Sequence, residues 1–471
     1  MVNQQKKLDT IVNFARRKGI VYPSSEIYGG YTGIYDFGPL GFLLKQNLLS
    51  LWRWHNVDSR LDMVEIDGSI FMHPKVWEAS GHTSGFSDML TEDVKTKKRY
   101  RADHLIEEAG LVENAGGLSE EQMDKLIKDN DLLSPDGNAL GPVKRFNLMV
   151  KTHLGASEDN SSIAYLKGES CQNIYIDFKA VQETTRLKLP FGIAQVGKAF
   201  RNEISPRQFI FRLRELEQMD VQYFCHPSES NHLYQDYIVN RQDFYHRVLG
   251  INQDHIRLRR HEEDERAFYA LDAWDIEYSF GSLGFKEIEG IHNRSDYDLK
   301  VHGQHSGEDL SYFDPFTRER FLPYVIECSA GLNRLMLMLM FEFYDEQDLG
   351  DGDMRIVWHL PYDLSPYKVA VLPLMKKDDM VSRAKEITKK LISMGIKVNY
   401  DDSGSIGKRY RRQDESGTAW CLTVDHDSLS GDINDASITL RHRDSMEQMG
   451  AEGRVSLSNL TPQFLKDNFS Q

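Results

Sequence analysis

Residues 199–216, AFRNEISPRQFIFRLREL, place arginines at 201, 207, 212 and 214 among largely apolar neighbours. A guanidinium presents a rigid fork of donors that suits phosphate and stays charged at any relevant pH. GIAQVGKAFRNEI and RELEQMDVQYF read as strands and SPRQ as the turn between them, so the arginines surround an antiparallel hairpin. Arg201 and Glu203, two residues apart, are expected on one face of their strand. Glu203, Glu215 and Glu217 could neutralise the arginines in pairs, which would leave only a salt-bridged sheet. A second element favours an anion site. PYVIECSAGLNRLMLMLMFEFY reads as a hydrophobic strand, a turn at Ala330 and Gly331, then a strongly apolar helix with Arg334 in its first turn. The helix dipole disfavours a cation there, so Arg334 calls for an external anion. Glu327 and Ser329 share one face of the strand that leads into this helix.

Two kinds of element must position these groups. With 471 residues and 54.4 kDa the chain has the length of roughly three folding units. Its first part reads as an α+β unit on a mainly antiparallel sheet, residues 1–362. An insertion over about residues 100–160 carries two short acidic helical segments, DHLIEEAGL and SEEQMDKLIKDN, with no separate core expected. Residues 363–471 alternate strand and helix: YKVAVLPL, DDMVSRAKEITKKLISMG, IKVNY, SIGKRYRRQDESG and AWCLTV. That order predicts a small α/β domain with a largely parallel sheet. No stretch approaches the ~20 continuous apolar residues of a membrane span. The first twenty residues fit an amphipathic helix better than a transit peptide. Cys171, Cys225, Cys328 and Cys421 form no CxxC pair, which argues against a disulfide framework or a zinc ribbon and for a reducing cytoplasm. A net charge of −15 excludes a broad basic surface that coats nucleic acid, so any such site must be local.

FRNE with its arginine-rich loop, and AGLNR on a strand-helix turn, resemble motifs 2 and 3 of the class II aminoacyl-tRNA synthetases. The resemblance to the homodimeric glycyl branch of that family is long. It runs through YPSSEIYGG, GPLG, VWEASGH, YRADHLIE, RFNLMVKT, PFGIAQVGKAFRNEISP, GIHNRSDYDL, HSGEDLSYFDP and YDDSGSIGKRYRRQDE. It implies a six- to seven-stranded antiparallel catalytic sheet and a C-terminal anticodon-binding domain. It also implies a two-step reaction, in which glycine is activated by ATP and then passed to the 3′ end of tRNA(Gly). Neither step demands a protein nucleophile, because such transfers rest on orientation and charge stabilisation.

Carried over residue by residue, the resemblance makes Arg201 the α-phosphate ligand and Arg334 the γ-phosphate ligand, the two catalytic candidates. Asn202, Glu203, Phe211, Arg212, Arg214, Leu216, Glu287, Ile288 and Gly331 complete the ATP set, with Glu203 accepting from the adenine amino group. Glu287 is the candidate Mg²⁺ ligand; no zinc is expected, since HGQH lacks a third ligand at a suitable spacing. Glu169, Glu327 and Ser329 would hold the glycine ammonium and Arg294 the carboxylate, with Arg101 and Glu217 also at the substrate. The tRNA would meet Arg207 at the hairpin tip, and Lys408, Arg409, Arg411 and Arg412 around an exposed Tyr410.

The chain departs from the family pattern at several places. Leu216 stands where an aromatic usually stacks on adenine, which passes that task to Phe211. Met89 replaces the motif 1 proline at the expected dimer contact. Lys167 and Gly168 replace Arg and Pro before Glu169, and Cys328 replaces the proline between Glu327 and Ser329. Two rival readings stay open at this level. One is a non-catalytic synthetase-like binding module of the polymerase accessory type; the other is a class II synthetase for another small amino acid.

Overall fold

The strand that returns from the arginine-rich loop, Glu215–Cys225, buries every residue from Gln218 onward, because it has sheet neighbours on both edges and layers on both faces. Met219, Val221, Tyr223 and Cys225 enter the largest core, while Gln218, Asp220, Gln222 and Phe224 point to the opposite face. The computed structural model describes residues 8–112, 115–204, 206, 208–263, 265–267, 269–450 and 453–469.

Seven strands form the main sheet, in the order Ile256–Arg260, Asp272–Ser279, Phe285–Ser295, Tyr324–Gly331, Glu215–Cys225, Phe191–Phe200 and Met63–Ile66. Every pairing is antiparallel except that of the last edge strand. The expected antiparallel catalytic sheet is therefore present. Helix Leu332–Phe343 packs its Leu and Met side chains into the core on one face, together with Leu44, Leu48 and Trp52 of helix Pro39–Arg53. The opposite face is covered at one end by helix Cys171–Thr185, whose Phe178 ring lies 4.5 Å from that of Phe224.

Three expectations need correction. The first hairpin strand ends at Phe200, and Arg201 makes only an isolated bridge to Met149, so Arg201 and Glu203 do not share a strand face. The inserted region has a core of its own. Strands Ser87–Glu92, Arg99–Arg101 and Lys144–Asn147 form a three-stranded sheet, and Ala102, Ile106, Met123 and Ile127 of two helices make a small cluster with Ala115 and Val143. Helix Glu120–Asp129 is closed by a capping box between Ser119 and Gln122, which lets so short an acidic helix stand. Met89 packs against that cluster.

Third, the C-terminal sheet is mixed. Val398–Tyr400, Val369–Pro373 and Trp420–Val424 are parallel, but Ser437–His442 and Arg454–Ser456 add antiparallel strands beyond them. The connection over residues 425–436 holds only two 3-10 turns and no crossover helix, so the chain returns antiparallel. The two parts of the chain meet through a buried ion pair. Arg355 donates to Asp414 at 2.9 Å, both side chains 1% exposed, and Arg441 reaches the same carboxylate at 2.9 Å. Among the described residues no helix is long and apolar enough to cross a membrane.

Candidate active site

The fate of the hairpin acids decides what its arginines are for. Glu215 pairs with Lys198 and Glu217 with Lys45. Only Glu203 approaches an arginine, 4.0 Å from Arg212. Lys198 of the hairpin itself and Lys45 of helix Pro39–Arg53 thus absorb two of the three acids. Arg201 has no ion-pair partner among the described residues: its Nε donates to the Gly168 carbonyl (3.1 Å) and its guanidinium lies 5.1 Å from the Phe86 ring.

Arg201, Glu203, Phe211, Arg212, Leu216, Glu217, Glu287, Ser329, Gly331 and Arg334 line one pocket of about 170 Å³. That is below the ~300 Å³ at which small-molecule cavities usually begin, so the site is an open groove rather than an enclosure. Glu203 is buried, and burial pushes its carboxyl up while Arg212 opposes the shift. Burial likewise lowers Arg212, one of whose nitrogens has no hydrogen-bond partner.

Arg334 does not lack an internal anion, contrary to expectation. Its Nη1 donates to the Glu287 carbonyl (3.0 Å) and lies 3.1 Å from the Glu287 carboxylate, and the guanidinium stacks 4.5 Å from the Phe211 ring. Arg334 in turn holds the Glu287 carboxyl below its ordinary value. Glu287 stays half exposed at the mouth, with room for a further ligand.

Behind the pocket the sheet carries an acidic pit, organised by register. Gln222, Glu327 and His292 stand side by side on three adjacent strands, and Asp220, Ser329 and Gly290 form the next row. Glu327 accepts from Gln222 Nε2 (3.0 Å) and Arg294 Nη1 (2.9 Å), and His292 Nδ1 lies at 2.8 Å. Burial opposes its charge, but Arg294 and His292 bring it down to about 2. Glu169 enters from the segment before helix Cys171–Thr185. It accepts from Gln172 Nε2 (2.9 Å) and lies 3.2 Å from His82 Nε2. There too burial is outweighed, by His82, Arg294 and Gln172, and the carboxyl sits well below the usual range.

Asp220 is the odd member. It is 1% exposed, neither carboxylate oxygen makes a hydrogen bond of ordinary geometry, and the Ser329 hydroxyl is the polar side chain that bears on it most. Burial pushes it up to about 8 against the pull of the Ser329 hydroxyl, and the Glu327 and Glu169 charges add to the rise. Three carboxylates in one low-dielectric pit cannot all ionise, and the proton falls to the least solvated. A pit of three carboxylates suits a compact cation.

Several residues stand elsewhere than expected. Arg294 is buried with its Nε and Nη2 on Asp298 (2.7 and 2.9 Å) and its guanidinium 3.8 Å from the Tyr269 ring, so it braces Glu327 rather than opening onto a substrate carboxylate. Arg101 is tied to Asp103 and to Asp88 (3.0 Å) at the edge of the inserted lobe. Glu217 lines the pocket but its charge is taken by Lys45. Arg214 donates to the carbonyls of Glu203 (2.8 Å) and Thr32 (3.1 Å), away from the pocket. Asn202 is exposed outside it, and the Ile288 side chain lies in the core on the far face.

The basic helix Ile406–Glu415 fares differently from expectation. Arg409 is 2% exposed and donates to the carbonyls of Pro373, Asp402 (2.9 Å) and Gly404 (2.8 Å). Tyr410 is turned inward onto Thr423 (2.6 Å) and Arg441, while Arg411 and Arg412 pair with Asp353 and Asp401. Lys408 alone of the five is exposed. Arg207 lies outside the described residues.

Sequence reasoning missed Asp220, Gln222, His292 and His82. One signal was available: polar residues at 218, 220 and 222, alternating with Met219, Val221 and Tyr223, mark a strand whose second face is buried and polar at once.

The family model for the class II core domain of tRNA synthetases (G, H, P, S and T) matches residues 151–343, and that for an anticodon binding domain matches residues 368–467. A crystal structure of prolyl-tRNA synthetase from Cryptosporidium parvum superposes with a TM-score of 0.62 over 99% of this chain and 76% of that one, at 14% identity, which bears on the fold alone. A glycine–tRNA ligase of Clostridium acetobutylicum is 44% identical over 98% of both chains, and one of Corynebacterium glutamicum 45% identical over 97% of both. One of Treponema denticola is 44% identical over 95% of both. At that identity, sustained over nearly the whole length, the chain belongs to the glycine–tRNA ligase family of class II synthetases.

Proposed function

We propose that this protein is a glycine–tRNA ligase that activates glycine with ATP and then passes the glycyl group to the 3′ end of tRNA(Gly). One observation carries the reading: a row of arginines and an acidic pit adjoin along the strand Tyr324–Gly331, with Ser329 lining the pocket while standing in the pit. Glycine has only an ammonium and a carboxylate to grip. Glu169, Glu327, Ser329 and Asp220 take the ammonium, which turns the carboxylate towards the arginines. A carboxylate oxygen attacks the α-phosphorus, the bond to the bridging oxygen breaks, and pyrophosphate leaves with the electron pair. Arg201 and Arg212 face the charge that develops on the α-phosphate, and Arg334 the terminal phosphate. In the second step a hydroxyl at the tRNA end attacks the carbonyl carbon and AMP departs.

Mg²⁺ fits one place. The half-exposed Glu287 carboxylate beside Arg334 would hold it, and the ion would supply charge neutralisation to the nucleotide phosphates there. Residues 1–362 carry the chemistry in this reading, and 363–471 the anticodon contacts, where Lys408 stays available. The protein works as a homodimer in the cytoplasm. Pyrophosphate exchange with ATP, Mg²⁺ and each of the twenty amino acids tests the reading. Glycine alone should support exchange; equal exchange with alanine or serine would overturn it.

A further inference from the structure

Glu169 and Glu327 reach the acidic pit by different routes. Glu327 stands on a central strand of the sheet and is gripped by Gln222, Arg294 and His292. Glu169 comes from the segment before helix Cys171–Thr185 and lies on no strand or helix, so its side-chain partners must aim it. They are the Gln172 amide (2.9 Å), His82 (3.2 Å) and the Cys171 thiol (3.2 Å).

Gln172 is wholly buried, and both ends of its amide are engaged. Nε2 donates to Glu169, and Oε1 faces Nε2 of His302 at 2.8 Å. A carboxamide oxygen only accepts, so the imidazole proton sits on Nε2. His302 is buried, and burial, with the His305, Arg294 and His82 charges, pushes it down to about 4. At neutral pH it is therefore an uncharged donor, and that donor fixes the sense of the amide. Turned end for end, Gln172 would set its oxygen against the Glu169 carboxylate and its amino end against the His302 N–H, losing both buried hydrogen bonds at once.

The same helix holds the other half of the pit. Helix Tyr297–Ser306 turns Asp298, Leu299 and His302 inward. Asp298 and His302 stand at i and i+4, on one face. Asp298 accepts from Arg294 (2.7 and 2.9 Å), and Arg294 donates to Glu327 (2.9 Å). His302 donates to Gln172, and Gln172 donates to Glu169. Two chains of equal length thus run from one helix to the two acids. Leu299 anchors that helix among Ile174, Phe178 and their neighbours. Glu169, Gln172 and His302 all lie outside the lining of the nucleotide pocket.

We propose that His302 is a positioning residue for the amino acid: through Gln172 it aims the Glu169 carboxylate at the glycine ammonium. This rests on the ligase reading above and adds a residue that itself touches no substrate.

The test is glycine-dependent pyrophosphate exchange with variants of the full chain, their folding checked by circular dichroism. His302→Leu keeps the bulk and removes the donor. His302→Asn carries an amide too short to reach Gln172, and it serves if the Leu variant does not fold. His302→Gln returns an N–H at nearly the reach of Nε2. The KM for glycine should rise about tenfold in the Leu and Asn variants, the equivalent of one weakened hydrogen bond to a charge. Their kcat and KM for ATP should change little, because the lost hold acts alike on bound glycine and on the transition state. The Gln variant should return close to the unmodified protein. In a Gln172→Leu background, His302→Leu should add nothing, since the chain is already cut. An unchanged glycine KM in a folded Leu or Asn variant overturns the proposal. A loss shared by glycine and ATP, or equal in the Gln variant, also overturns it, as a purely structural role would give that result. Additive losses in the double variant do the same. Absent exchange in the unmodified protein would instead strike the ligase reading itself.

Discussion

Asp220 offers the most demanding test of the acidic pit, because its charge should be absent until glycine arrives. Its pKa is raised from 3.8 to about 8 by burial, against the Ser329 hydroxyl and with Glu327 and Glu169 adding to the rise. At about pH 7, roughly one molecule in eleven carries the ionised form, and at about pH 8.5 roughly three in four. An ammonium donates only to acceptors, and it binds the carboxylate far better than the acid. Glycine binding should therefore strengthen about eightfold between those two values and release close to one proton at the lower one. The KM for glycine in pyrophosphate exchange, read across this range, gives the first number. Calorimetry in buffers of different ionisation heat gives the second. In Asp220→Asn the profile should be flat and the KM about tenfold or more higher, the equivalent of one lost hydrogen bond to a charge. The sign for stability follows from the same shift. A folded pKa above the unfolded one means that the unliganded protein binds the extra proton, so its stability falls as pH climbs from about 4 to about 8 and is level beyond. A glycine KM that does not move with pH in the unmodified protein would refute the reasoning, as would an Asn variant that retains the slope.

Arg334→Ala should lower glycine-dependent exchange by ~10² or more, since it removes a cation from the developing phosphate charge and frees Glu287; near-normal exchange would place that role elsewhere. Ser329→Ala should raise the KM for glycine about tenfold in the same assay, and an unchanged value in a well-folded variant would mean that Ser329 does not face the substrate. Asp414→Ala should cost ~3 to 5 kcal/mol, because it strands the buried Arg355 and leaves Arg441 unpaired; thermal unfolding would show a lowered Tm, and an unaltered Tm would count against the joint.

Patterns that depend on near neighbours were readable in the sequence. The strand-loop-strand around FRNE, the apolar helix after AGLNR and the alternating elements beyond residue 363 all follow from periodicity and turn residues. So did the choice of arginine over a nucleophile, because the residue types themselves exclude one chemistry and invite the other. Which charges remain free was a different kind of question. Arg201 and Arg409 look alike as letters. Yet Arg201 faces a pocket because Lys45 and Lys198 take Glu217 and Glu215, whereas Arg409 is consumed by three backbone carbonyls. Lys45 stands 172 residues from Glu217, and no local pattern links them.

The pit shows the same division. Glu327 and Ser329 could be placed on one strand face from their spacing, but their neighbours Gln222, His292 and Asp220 come from strands whose order in the sheet is not their order in the chain. Arg294 was legible as a charge near the site; only the fold turned it onto Asp298 and made it a brace. Residue type and local periodicity are properties of the chain, and they determined the fold class and pointed to an anion site, while the reaction was implied by the resemblance of the motifs to a family. The pairing of charges, the pKa of a buried acid and the exposure of a cation are properties of packing, set by groups that meet only when the sheet has closed.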